Sequence, residues 1–163
     1  MRMPILPVGP SIAYVPLTQG QFAVVDAEDV HLVQDCTWHA LYHPRTRSYY
    51  AKSSCCGRVL LHRLVMGESD SSVMVDHRSG VTLDCRKGNL RRATAAQNAT
   101  NKRRRSDSKS GLKGVKRSNS RWIARIQVNG RESYLGTFDT PELAHAAYCD
   151  AAARFQGEFA RAA

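Results

Sequence analysis

Residues 73–101, VMVDHRSGVTLDCRKGNLRRATAAQNATN, decide how this chain is read. The segment SVMVDH reads as a short strand that delivers Asp76 and His77 at its end. RSGVTLDCRKG is rich in turn formers and reads as a loop. NLRRAT reads as a second short strand, and Thr94 then caps a helix running through AAQNATNKR. Asn98 falls one turn into that helix, where it can point back at the strand end. The stretch predicts a strand–loop–strand–helix unit.

The side chains it gathers carry a chemistry. Asn89 lies thirteen residues beyond Asp76, and Asn98 nine beyond Asn89. A histidine takes a proton from water near neutral pH. Asp76 and Asn98 offer oxygen ligands to a hard cation. Together they suit the cutting of a phosphodiester. An isolated Asp-His pair more often marks a surface turn. The two asparagine offsets and the charge beside them favour a site. Arg91 and Arg92 flank it, either to hold a phosphate or as ordinary exposed charge. Asn89 is open to a plainer reading as a turn residue before a strand.

The chain has 163 residues and a net charge of +10. Its first 71 residues balance, so the excess lies behind them. From Arg91 to Arg131 the only acid is Asp107. A stripe so one-sided points to a polyanion rather than to a merely solvated face. No apolar run approaches membrane length, and the prolines of MRMPILPVGP argue against a signal peptide. The cysteines, Cys36, Cys55, Cys56, Cys85 and Cys149, are odd in number and contain no C-x-x-C pair. That argues against a disulfide framework and a zinc ribbon, and fits idle thiols in a reducing cytosol.

Ahead of the stretch, residues 1–71 read as a β-rich leader. QFAVVD is a strand, and Asp26 is expected to cap a short helix through Val33. TWHALYH and SYYAKS are extended segments joined at PRTR. VLLHRLVMG runs from a strand end into a helix stopped by Gly67. Its His62 either lines the site or covers the core. His31, His39, His43 and His145 carry no spacing signal and read as surface residues.

Behind the stretch, residues 106–112 read as a basic linker and residues 113–163 as a second module. RWIARIQV alternates, placing Trp122, Ala124, Ile126 and Val128 on one face and Arg121, Ile123, Arg125 and Gln127 on the other. Asn129-Gly130 is a hairpin signal, so Val128 faces Arg131 and Tyr134 joins the arginine face. Thr140-Pro141 starts a helix whose Ala144, Ala147, Tyr148, Ala151 and Phe155 repeat at helical spacing. The predicted class is α+β: a β-rich leader, a catalytic element over residues 72–105, then a three-stranded antiparallel sheet packed on one helix.

Two resemblances follow from these residues. VDHRSGVTLDCRKGNLRRATAAQN resembles the HNH endonucleases, in the variant whose third position is Asn. The preceding TQGQFAVVD, Trp38, YYA and LHRLVMG resemble the leader of many phage-borne HNH homing endonucleases. The first resemblance implies a ββα-metal element. In it His77 is the general base, Asn89 restrains the loop and orients the histidine, and Asp76 and Asn98 hold one divalent ion, Mg²⁺ or Mn²⁺ rather than zinc. It also implies a cytoplasmic setting in a bacterial host, if the chain is phage-encoded.

GVKRSNSRWIARIQVNGRESYLGTFDTPELAHAAYCDAAARFQGEFARAA resembles the DNA-binding domain of plant ethylene-response factors, of the APETALA type. That resemblance implies that a sheet enters the major groove of double-stranded DNA, with Lys116, Arg121, Arg125, Gln127, Glu132 and Tyr134 facing it. Lys113 and Arg117 are further candidate DNA contacts. The plant domain usually has an acid at the place of Arg125 and an arginine at the place of Glu132. It also has one more residue between Lys116 and Arg121 and a longer hairpin, so its target sequence does not transfer. The combined expectation is a DNA-nicking enzyme that works as a monomer, with a dimer left open. The rival is a catalytically dead relative that only binds or regulates.

Overall fold

The computed structural model describes residues 5–7, 9–55, 57–101, 110–128 and 130–160. Cys56, Asn129 of the hairpin and most of the basic linker lie outside them. The chain divides into two compact units, Met1–Ala93 and Thr94–Ala163. Both mix helix with small antiparallel sheets, an α+β construction.

In the first unit, β1 (Leu6–Pro7), β2 (Ile12–Pro16) and β3 (Phe22–Asp26) form one antiparallel sheet. Period-two alternation turns Ala13 and Val15 inward, opposite Val25 and Ala23. A 3-10 turn, Ala27–Asp29, leads into α1 (Val30–Val33). The expected Asp26 cap does not form. Its carboxylate instead accepts the backbone N–H of Lys87 at 2.8 Å, a long-range partner that wins over the local one.

A hairpin follows, β4 (Trp38–His43) against β5 (Ser48–Ser53), in register from Trp38 opposite Ser53 to His43 opposite Ser48. Trp38, Ala40 and Ala51 face the core, and the Trp38 indole donates to the Val33 carbonyl at 3.0 Å. The short α2 (Leu61–Val65) ends where Gly67 takes a φ of +60°, and Glu68 N–H closes back on the Arg63 carbonyl. Then β6 (Met74–His77) pairs with β7 (Leu90–Ala93). Val15, Val25, Val33, Trp38, Leu61, Val75 and Leu90 share one core. Each such side chain contributes roughly 1.5–3 kcal/mol by leaving water. Cys36 in that core is disulfide-bonded, against the expectation of idle thiols throughout. Pairing depends on which elements meet in space, and that is not written in cysteine spacing. Cys55, Cys85 and Cys149 carry free thiols.

In the second unit, α3 (Ala95–Thr100) starts at Thr94, whose hydroxyl accepts from Gln97 N–H while the Gln97 side chain accepts from Thr94 N–H. The sheet order is β10 (Arg131–Phe138), β9 (Arg121–Val128), β8 (Val115–Ser118). Val128 does face Arg131, and an irregularity between Tyr134 and Gly136 interrupts the ladder further on. Helix α4 (Pro141–Gln156), capped by Thr140 with Pro141 at its first position, lays Ala144, Tyr148, Ala151 and Ala152 on the sheet. Phe155, expected on that face, is 60% exposed, because Ala152 takes the inward place one turn earlier. Gly114 lies so close under Tyr148 that an added Cβ would sit 2.0 Å from the ring. No helix among the described residues is long and apolar enough to cross a membrane.

Candidate active site

Asp76 and His77 end β6 and are both buried, at 6% and 5% exposure. The β6–β7 register sets Arg91 directly across from Asp76. Its guanidinium donates to Asp76 Oδ2 from Nε at 2.9 Å and from Nη2 at 2.8 Å. Arg91 is itself 6% exposed, so it holds the carboxylate from inside rather than presenting charge to a phosphate. A cross-strand partner made burial of this arginine affordable. Removing it would strand a buried carboxylate, at a cost of about 3–5 kcal/mol. Arg92, pointing the other way, pairs with Glu68 at 2.8 Å and donates to the Met66 carbonyl at 3.1 Å. This ties β7 to the end of α2.

Asn89 works on the loop. Its Oδ1 accepts from Ser79 N–H at 3.0 Å, and its Nδ2 donates to the Asp84 carbonyl at 2.7 Å. Its backbone carbonyl takes Arg78 N–H at 2.8 Å. The far side of the loop is stitched to β3, with Val24 N–H on the Leu83 carbonyl and Cys85 N–H on the Val24 carbonyl. Lys87 adds an ion pair to buried Asp29 at 2.6 Å. The fully buried Cys85 thiol is pushed up to about 12 by burial, with a further push from Asp84, and is chemically idle. The loop that follows His77 is therefore fastened at both margins.

His62 on α2 lies with its ring centroid 4.9 Å from that of His77, edge to face. Tyr50 of β5 closes the cluster at 5.9 Å from His62 and 6.2 Å from His77. Thus His62 both fills the core and walls the site. Burial brings the His77 imidazole down to about 4 against the opposing pull of Asp76 and Asp84. Burial, then the charges of His77 and Arg63, bring His62 down to about 3. Both rings are neutral at physiological pH, and a neutral imidazole has the lone pair a general base needs. Spacing gives no signal for His62, because its contact with His77 joins two elements distant in sequence.

Asn98, the remaining residue of the set, stands on α3 in the second unit, half-buried. In that unit Arg121, Arg125 and Gln127 lie exposed on β9, Lys116 and Arg117 on β8, and Tyr134 on β10. The basic groups are partly engaged within the face. Arg125 pairs with Glu132 at 2.7 Å and Arg121 with Asp139 at 3.0 Å, whereas Arg117, the cross-strand partner of Trp122, lies on the opposite face and stands 5.8 Å over that ring. Lys113 is turned inward, its Nζ donating to the Thr100 carbonyl at the end of α3, 2.7 Å away. His145, expected at the surface, stacks on Tyr148 with centroids 5.9 Å apart.

No family model matches the chain. A protein of Acanthamoeba polyphaga mimivirus, named as an uncharacterised HNH endonuclease, is 30% identical over 159 residues. The match covers 92% of this chain and 80% of that relative. Identity at that level and over that length, with the Asp76-His77 pair at the end of a strand and Asn89 fastening the loop behind it, shows that the chain belongs to the HNH endonuclease family.

Proposed function

We propose that the protein is a divalent-metal-dependent DNA endonuclease that nicks one strand per encounter. The observation that carries this reading is His77 held neutral at a strand end beside Asp76, with Asn89 bracing the loop that follows. His77 accepts a proton from the attacking water. Tyr50 and His62 limit the directions its ring can take. Asp76 and Asn98 are the oxygen donors for the cation, Asn98 on the strength of its spacing. The donor types fit Mg²⁺ or Mn²⁺: a carboxylate and an amide oxygen, with no thiolate or second carboxylate. Since Arg91 already offsets the charge of Asp76, the protein would hold such an ion weakly, and DNA phosphate and water would have to supply its remaining ligands. The bound ion would polarise the scissile phosphate and stabilise the departing oxygen.

The exposed face of β8–β10, of the ethylene-response-factor type, is the DNA-positioning surface in this reading. Lys116, Arg121, Arg125, Gln127 and Tyr134 are its contacts, with arginines suited to guanine edges or phosphates. If about six phosphates are neutralised, log affinity falls with log salt at a slope of roughly −5. The test is nicking of supercoiled plasmid with and without Mg²⁺. Metal-dependent nicked circle supports the proposal. Tight DNA binding with no nicking under any divalent ion sinks it. That outcome favours a DNA-binding regulator, a reading that the deep burial of His77 speaks for.

A further inference from the structure

We propose that the β4–β5 hairpin is a second DNA-contacting element, which guides the duplex backbone along the flank of the cut. The inference rests on the endonuclease reading of the His77 site and adds a surface to it. Between Asp35 and Glu68 every formally charged side chain is basic: Arg45, Arg47, Lys52, Arg58 and Arg63. The balanced charge of the first 71 residues hides this, because the acids lie on either side of the segment.

The hairpin register sorts its side chains onto two faces. One face carries Trp38, Ala40, Ala51 and Ser53, all buried in the core. The other carries His39, Leu41 and His43 opposite Lys52, Tyr50 and Ser48. Tyr50 on this second face is the residue that touches both His62 and His77. From there the face runs outward. His43 meets Tyr50 edge to face at 6.4 Å, and Leu41 is 44% exposed. It ends at the tip, where residues 41–47 are exposed without interruption. Neither Arg45 nor Arg47 meets an acid among the described residues.

The surface therefore begins beside His77 and finishes at two guanidiniums with no acid partner among the described residues, with Leu41 and then His43 and Ser48 between. That is the complement of a sugar–phosphate backbone: sugars against Leu41 and Tyr50, phosphates against the arginines. Strands of a two-stranded ribbon suit the curvature of duplex DNA. Arginine is also the side chain whose planar fork best matches phosphate. No structural duty competes for either arginine, so their placement at the tip is left to a partner.

The experiment uses the full chain and the double variant Arg45→Gln, Arg47→Gln. Affinity for a fluorescent mixed-sequence duplex is measured across a salt series, and steady-state nicking of plasmid beside it. Loss of two phosphate contacts is expected to make the log–log salt slope shallower by about 1.8. KM for plasmid should rise several-fold with kcat little changed, because neither residue touches the reacting atoms. The Arg45→Lys, Arg47→Lys variant should recover most of the slope. An unchanged slope and KM in the Gln variant, with a thermal midpoint equal to wild type, overturns the hairpin assignment and leaves the endonuclease reading intact. Failure of the wild type to nick overturns that reading instead, while the salt slope still judges the hairpin.

Discussion

The imidazoles of His62 and His77 stand edge to face, 4.9 Å apart, and both are buried. His62 has a buried Nδ1 with no hydrogen-bond partner. A proton there must be taken without compensation. Its folded-state value near 3 lies below the ordinary 6.5, so the unfolded chain binds more protons in between. Stability is full above about pH 6.5 and falls as the pH drops toward 3, by up to about 1.4 kcal/mol per pH unit from this group. Urea unfolding at pH 7 and pH 5 checks it. His62→Phe, which keeps a ring but no titration, should lose less stability between the two than wild type.

His77→Ala is expected to lower the nicking rate at least about a hundredfold, the usual worth of a general base. DNA affinity should change little, since the residue is buried and off the basic faces. Single-turnover nicking and duplex binding, measured on the same preparation, decide it. A variant that cuts at the wild-type rate removes His77 from the mechanism.

Asn98→Ala should raise the Mg²⁺ concentration needed for half-maximal nicking, and Asn98→Asp should keep part of the activity. A metal titration of the three proteins measures this. Superimposable curves for wild type and the Ala variant would take Asn98 out of the ligand set.

Gly114→Ala should destabilise the second unit selectively. The position combines a φ of +75° with direct contact on the Tyr148 ring, so a methyl group meets both strain and overlap. A loss of about 1–3 kcal/mol is expected for overpacking. If the sheet positions the DNA, affinity falls with it. Thermal melting followed with Trp122 as probe, alongside binding, tests the pair of outcomes.

One Asp76-His77 set attacks one phosphodiester at a time, so nicked circle should precede linear product on supercoiled plasmid. A monomer, as the sequence leads one to expect, gives a rate per enzyme that does not change with protein concentration. Linear DNA appearing first, without a nicked precursor, would instead indicate two sites acting together.

Much of this architecture is legible in the residues because local rules and the fold agree. The Thr94 cap, the alternation of RWIARIQV and the strand placing Asp76 beside His77 all rest on patterns within a few residues. The failures are long-range. Arg91 reads as surface charge until the ladder sets it across from Asp76. Asp26 reads as a cap until Lys87 arrives from the far side of the loop. The β1–β2 pairing is obscured by prolines that a short edge strand tolerates. His62 shares its contact with a residue from another element, and no periodicity reports that.

Asn89 and the proposed metal ligand Asn98 answer to different chemistries. Asn89 spends its oxygen on one backbone N–H and its nitrogen on one backbone carbonyl. A carboxylate there would satisfy the first and set oxygen against oxygen at the second. Position 89 thus demands an amide on grounds of loop polarity alone, whereas a cation ligand at position 98 asks only for an oxygen. The letter is the same at both places, but the interchangeability with aspartate is not.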